Sequence, residues 1–113
     1  MNRIILFRYH KELLICRNRL AQLKKLNPTV KIFGLYGGEE INFPKYKKAL
    51  EPFLEHNYCL KDETADWLWK NGDLGMRLWY KTVGNKINFE MLHFIEWDLL
   101  LVNSLDKIYK KNT

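Results

Sequence analysis

The chain has 113 residues, of which 47% are hydrophobic and 14% aromatic, a size and composition that suit one folded domain and exclude a disordered chain. Its formal net charge of +6 predicts affinity for anions, whether nucleotides, nucleic acid or an acidic membrane surface. No apolar run is long enough for a membrane span or a signal peptide, and two cysteines without metal-ligand spacing, Cys16 and Cys59, indicate reduced, buried thiols in a cytoplasmic protein.

The first third of the chain alternates between strand-like and helix-like patterns. An apolar, β-branched run predicts a strand at residues 4–9. The next segment repeats apolar residues every three or four positions and so predicts a helix, with the stripe formed by Leu13, Cys16, Leu20 and Leu23. Asn27-Pro28 ends that helix, because a residue before proline avoids the α region. A second strand is then predicted at residues 30–36.

The alternation continues through the rest of the chain. A helix is predicted from Pro44, and Pro52 must kink or split it. A short strand follows at residues 57–60, and then a helix that Asp73 would cap and Gly84-Asn85 would stop. The last two elements are an apolar strand at 91–97 and a helix from Leu105 to Lys110, capped by Ser104.

This order predicts one domain, residues 1–113, of the α/β class: a three-layer, doubly wound, mostly parallel, Rossmann-like sheet with right-handed crossovers. We expect the first and fourth strands to be adjacent at its centre. Such sheets bind ligands beyond the carboxyl ends of their strands, where strand order reverses. The residues that follow the predicted strands are Tyr9, His10, Tyr36, Gly37, Gly38, Glu96, Trp97 and Asp98.

Glu96 and Asp98 are the strongest candidates for a metal site. Their i, i+2 spacing puts both side chains on one side of an extended backbone. Two adjacent carboxylates repel each other, and a divalent cation relieves that repulsion. Together with a substrate diphosphate they would form an oxygen cage for Mg²⁺ or Mn²⁺. The alternative is a solvated turn.

The segment from Met91 to Leu101 resembles the metal-binding strand of GT-A-fold glycosyltransferases, particularly family-2-like members, with Glu96 where the family motif has its first Asp. The strand from Ile4 to His10 and the helix with Cys16, Asn18 and Arg19 resemble the family's first βα unit. Residues 34–38 fall where that family approaches the base and ribose. Residues 71–73 with Arg77 fall in the segment that contacts the base and diphosphate.

The resemblance implies the donor-binding half of a metal-dependent glycosyltransferase, with a nucleotide-diphosphosugar as ligand and a UDP-sugar as the expected donor. Glu96 and Asp98 would bind Mn²⁺ or Mg²⁺. The residues implied for nucleotide binding are Tyr9, His10, Tyr36, Gly37, Gly38, Asp73, Arg77 and Trp97. No catalytic base or acceptor is implied. Since GT-A enzymes are roughly twice this length, as a donor and an acceptor unit would require, we expect the chain alone to transfer no sugar.

Two other functions stay open: a non-catalytic nucleotide-binding module that needs a partner chain, and a basic domain that binds nucleic acid. The lysines are spread over several helices and the aromatic residues lie mostly in apolar stripes, which disfavours nucleic acid. A peripheral membrane contact also remains open. Trp67 and Trp69 either stack on a ligand or pack, whereas Trp79 and His93 are predicted to be structural.

Overall fold

The computed structural model describes residues 2–60, 72–99 and 104–108, and within them it confirms the α/β alternation. The strands are Arg3–Tyr9 (β1), Lys31–Tyr36 (β2), His56–Cys59 (β3) and Met91–Glu96 (β4). The helices are Leu13–Leu26 (α1), Phe43–Leu50 (α2), Gly72–Thr82 (α3) and Leu105–Ile108 (α4). Short 3-10 turns occupy residues 40–42, 51–53 and 84–86. Within the described ranges, none of the helices has the length and apolarity needed to cross a membrane.

All four strands are parallel, in the order β3-β2-β1-β4. The prediction that the first and fourth strands are adjacent is therefore confirmed. The prediction that both are central is wrong, because β4 is an edge strand of the described sheet and most of its side chains are only partly buried. The chain crosses the whole sheet between β3 and β4, so strand order reverses between β1 and β4.

The sheet separates two layers of helices, which confirms the three-layer architecture. Every residue of β1 is buried, and its alternate side chains face opposite layers. Ile5 and Phe7 belong to a core cluster shared with α1, α2 and α4. Ile4 and Leu6 instead pack in the cluster that contains Trp79 of α3, which is fully buried as predicted.

Most helix ends follow their sequence signals. Asn27 caps the end of α1, and its Oδ1 accepts a hydrogen bond of 2.8 Å from the Leu105 amide, which joins α1 to α4. Ser104 Oγ accepts from the Lys107 amide at 3.3 Å, as expected of the predicted cap. Helix α2 ends at Leu50, two residues before Pro52, and the proline lies in the 3-10 turn at residues 51–53. Residues 109–110, predicted to be helical, lie outside the described residues.

One predicted helix boundary is wrong. Helix α3 already includes Gly72 and Asp73, so Asp73 lies inside the helix and is not its N-cap. Aspartate is common in the first turn as well as at the cap, because its charge favours the positive end of the helix dipole. The residue type alone therefore does not fix which of these positions it occupies.

A buried polar contact joins β1 to β3 across β2. The Tyr9 hydroxyl donates to Asn57 Oδ1 at 2.8 Å, and Gly34 of β2 lies beneath that amide. A Cβ at position 34 would be 2.5 Å from Asn57 Oδ1 and 2.8 Å from a methyl group of Leu54. Glycine at this strand position is thus explained by close packing.

Candidate functional site at the carboxyl edge of the sheet

The residues that follow the carboxyl ends of the four strands lie side by side. We call this end of the sheet the carboxyl edge. Backbone hydrogen bonds continue past the strands here. The amide of Gly37 donates to Tyr9 O at 2.9 Å, that of Trp97 to Arg8 O at 2.9 Å, and that of Leu60 to Tyr36 O at 3.0 Å. The residues predicted to follow the strands therefore meet at one edge.

The acidic motif at the end of β4 forms a turn. The Leu99 amide donates to Glu96 O at 3.0 Å, so the chain does not continue as a strand through Asp98. This differs from the extended geometry assumed for the i, i+2 spacing, and the turn is the reason. Glu96 ends β4 with a side chain that is 37% exposed, while Asp98 is exposed in the turn.

Arg8 neutralises one of these acids. Its Nη1 donates to Glu96 Oε1 at 2.7 Å, and its side chain is only 9% exposed. The two residues are paired in the register of β1 and β4. Arg8 was not predicted as a site residue, although a charged residue after four apolar ones in a buried strand is a signal that it has a partner. Which acidic residue pairs with Arg8 depends on the register of the strands, and the register cannot be read from the sequence.

The carboxyl edge offers a partial set of cation ligands. The ion pair with Arg8 engages Oε1 of Glu96, which leaves Oε2 and the carboxylate of Asp98 as hard oxygen donors of the kind that Mg²⁺ and Mn²⁺ prefer. Across the three described ranges, no group of three or more His, Cys, Asp and Glu side chains is placed to hold a metal ion. Among the described residues, this edge therefore supplies two carboxylates and no complete set of protein ligands.

The loop from β1 to α1 contributes His10 and the start of a helix. The His10 ring lies edge-on to the Trp97 ring, with 5.8 Å between centroids. Burial lowers the pKa of His10, and the positive charges of Lys11 and Arg8 lower it further, against the opposing effect of Glu96 and Asp98. Helix α1 begins three residues later, so its positive N-terminal end lies at the carboxyl edge.

The residue before α1 has an unusual backbone conformation. Glu12 adopts φ 64° and ψ 64°, in the left-handed region, and is the non-glycine residue with positive φ in the part of the chain that the structure describes. Its side chain makes no capping hydrogen bond to the helix. Such conformations cost energy and are concentrated at functional sites. At Glu12 this conformation turns the chain sharply from β1 into α1 at the carboxyl edge.

The loop after β2 packs tightly against the loop after β1. A Cβ at Gly38 would be 2.5 Å from both the His10 carbonyl oxygen and the Tyr36 hydroxyl. The described glycines have no positive φ, so Gly38 is required by this close approach and not by a left-handed turn. Gly37 and Gly38 are both buried, at the carboxyl edge.

Two residues predicted to bind nucleotide belong to the core. Tyr9 is fully buried and Tyr36 is 1% exposed, so their rings are not available at the carboxyl edge. Tyr36 donates its hydroxyl hydrogen to Glu39 O at 2.8 Å, and burial raises its pKa to about 12. The reason lies in strand parity: both rings point to the α1–α2 side of the sheet, where they pack on Tyr46.

Helix α3 brings Arg77 to the opposite side of the carboxyl edge. The helix starts there, since a Cβ at Gly75 would be 3.1 Å from Leu60, the residue that follows β3. Arg77 is exposed half a turn further on. Asp73 lies in the same helix, while Trp67 and Trp69 lie outside the described residues.

Other features of the described residues are separate from this edge. A groove of about 440 Å³ lies between α2 and β3, and its lining includes Lys47, Glu51, Glu55 and Asn57. Both cysteines are buried thiols, as predicted. Burial raises the pKa of Cys16 to about 12, and its sulfur donates to Lys11 O at 3.2 Å. Neither thiol is suited to nucleophilic chemistry.

Comparison with known proteins adds no family to this description. No protein-family model matches the chain, and no curated protein has a significantly similar sequence.

Proposed function

We propose that the carboxyl edge binds a nucleotide-diphosphosugar, with a UDP-sugar as the expected donor, and that the chain is the donor-binding part of a metal-dependent glycosyltransferase. The observation that carries the proposal is the acidic turn at residues 96–99. It follows β4 and is hydrogen-bonded to β1 through the Trp97 amide, next to the point where strand order reverses. Open parallel sheets bind ligands at this position. The sequence resemblance of residues 91–101 to the metal-binding strand of GT-A enzymes agrees with that location.

Each neighbouring group has a role in this proposal. Asp98 and the second oxygen of Glu96 hold Mg²⁺ or Mn²⁺, and the bound cation would supply positive charge to the leaving diphosphate. Arg8 fixes the orientation of Glu96 through the 2.7 Å ion pair. The N-terminal end of α1 and Arg77 provide positive potential for phosphate oxygens on the two sides of the sheet.

The position of Trp97 and His10 also suits a ligand at this edge. Trp97 is partly exposed and its indole Nε1 is buried without a hydrogen-bond partner among the described residues. The ring contact with His10 holds that indole against the loop from β1 to α1. We assign to these two residues the positioning of the donor beside the acidic turn.

The test is thermal unfolding with nucleoside diphosphates, each with and without Mn²⁺. A ligand at ten times its dissociation constant stabilises the native state by about 1.4 kcal/mol, which raises the midpoint temperature of a domain this size by roughly 4 °C or more. We expect this rise with UDP and Mn²⁺. Asp98→Ala should abolish the Mn²⁺-dependent part, and Glu96→Gln should reduce it.

Glu55→Ala is the matched control. Glu55 is also an exposed carboxylate, but it precedes β3 and so lies at the opposite end of the sheet. Its removal should leave the nucleotide response unchanged. If no nucleoside diphosphate raises the midpoint temperature, or if Asp98→Ala and Glu55→Ala respond alike, the proposed function is wrong.

A further inference from the structure

The net positive charge of the molecule arises from two segments that pack on one side of the sheet. Residues 11–26 and 43–53, which contain α1 and α2, carry eight Lys or Arg and two Glu, a net charge of +6. The remainder of the chain has eleven basic and eleven acidic residues, so its net charge is zero. We call residues 11–26 and 43–53 the basic layer. It accounts for the net charge of the whole protein.

Several lysines of the basic layer are exposed to solvent. Lys25, Lys47 and Lys48 are exposed on the sides of α1 and α2 opposite the buried residues Cys16, Leu20, Leu23, Tyr46 and Leu50. Two ion pairs among the described residues, Arg3 with Asp106 and Arg8 with Glu96, lie outside the basic layer. Such a surface attracts an extended anionic partner.

Large apolar side chains project from one end of the same layer. Leu14 in the first turn of α1 is 73% exposed, and Ile41 in the turn before α2 is 84% exposed. Both follow strands whose carboxyl ends are paired, since Tyr9 and Tyr36 are opposite each other in β1 and β2. Ile15 adds a third partly exposed apolar group beside Leu14. The phosphate backbone of a nucleic acid offers no apolar surface to these groups, whereas the interface of a bilayer buries them.

We propose that the basic layer binds the surface of an anionic phospholipid bilayer, with Leu14 and Ile41 inserted among the lipid headgroups. The lysines of α1 and α2 contact the negatively charged headgroups, and the aliphatic side chains add apolar burial at the carboxyl end of the layer. The carboxyl edge of the sheet is then held close to the bilayer. This inference does not depend on the proposed function, because it concerns the outer side of α1 and α2.

The test is sedimentation of the 113-residue chain with vesicles of phosphatidylcholine, with and without phosphatidylglycerol. We expect binding to the anionic vesicles only, weakening as salt is raised. Lys47→Gln/Lys48→Gln should weaken that binding roughly 25-fold, since each basic residue near an anionic surface contributes about fivefold. Ile41→Ser should weaken it roughly tenfold through lost apolar burial.

Matched controls come from the other helical layer. Lys81→Gln/Lys86→Gln removes two exposed lysines, and Leu78→Ser removes an exposed aliphatic side chain on α3. Both should bind vesicles as the wild type does. Asp98→Ala should also keep vesicle binding, which separates this inference from the nucleotide site. Circular dichroism checks that each variant is folded.

Other results would overturn the proposal. The proposal is wrong if the chain does not bind anionic vesicles, or if Ile41→Ser leaves that binding unchanged. It is also wrong if Lys47→Gln/Lys48→Gln and Lys81→Gln/Lys86→Gln weaken vesicle binding equally. Oligonucleotides at the same salt form the competing arm. Tighter binding to oligonucleotides than to vesicles, insensitive to Ile41→Ser, would instead assign the basic layer to nucleic acid.

Discussion

His93 and Arg3 form a buried polar contact beneath α4, and its geometry requires a neutral imidazole. Arg3 Nη1 lies 2.9 Å from His93 Nε2, and a guanidinium can only donate, so Nε2 must accept. Burial lowers the pKa of His93, and the charge of Arg3 lowers it further, while Asp106 opposes them. Burial also lowers the pKa of His10. Both histidines therefore favour the neutral form in the folded protein.

This lowering makes stability sensitive to mild acid. In the unfolded chain the histidine side chains become protonated near pH 6.5, whereas in the folded chain they become protonated only at lower pH. The free energy of unfolding therefore falls as the pH drops from about 7 through 6.5. We expect His93→Gln to show a smaller fall between pH 7 and 5, measured by urea unfolding. His56→Gln, at an exposed histidine, should keep the wild-type slope. Equal slopes for wild type and His93→Gln would contradict this account.

At the residue scale, the sequence located the carboxyl edge but not the roles of all its residues. His10, Gly38 and Asp98 lie at that edge, as their positions after strands predicted. Tyr9 and Tyr36 do not present their rings there, because strand parity turns them into the core. The alternation of Ile5, Phe7 and Tyr9 on one face contains that information, but only once both faces of the sheet are known to be covered.

At the scale of elements, the start of α1 stores conformational energy at Glu12. A left-handed conformation costs a non-glycine residue about 1–2 kcal/mol, and glycine avoids this cost. We predict that Glu12→Gly raises the free energy of unfolding by about 1 kcal/mol relative to Glu12→Ala. Both variants remove the same charge, so their difference reports the backbone alone. Chemical denaturation measures it, and a Glu12→Ala protein at least as stable as Glu12→Gly would show that the conformation is not strained.

The existence and order of the elements were predictable because each has its own periodicity. The strands β1, β2 and β4 are apolar runs, and α1 is a stripe at helical spacing. The edge position of β4 was not predictable from its apolarity. Ile95 packs on one helical layer and Leu92 and Phe94 on the other, as in a central strand, so an edge and a central position require similar residues in such a short run. The start of α3 was also missed, since Asp73 suits either the cap or the first turn.

At the scale of the whole molecule, β1 is the most enclosed element. It pairs with β2 on one side and β4 on the other, and all seven of its residues are buried. β3 pairs with β2 and is only partly buried. Amide protection follows burial and pairing, so hydrogen exchange by mass spectrometry should find β1 the slowest strand and β3 faster. Equal protection of the two would show that the sheet opens as one unit.

The contact of Tyr9 with Asn57 above Gly34 limits the substitutions that this chain can accept during evolution. Any side chain at position 34 displaces the amide of Asn57, and the displaced amide then leaves the Tyr9 hydroxyl buried without its partner. We therefore expect single replacements at position 34 to be rare among homologous sequences that keep Asn57. Homologous sequences should change positions 9, 34 and 57 together, and a lineage that loses the glycine should also have lost the tyrosine hydroxyl and the asparagine.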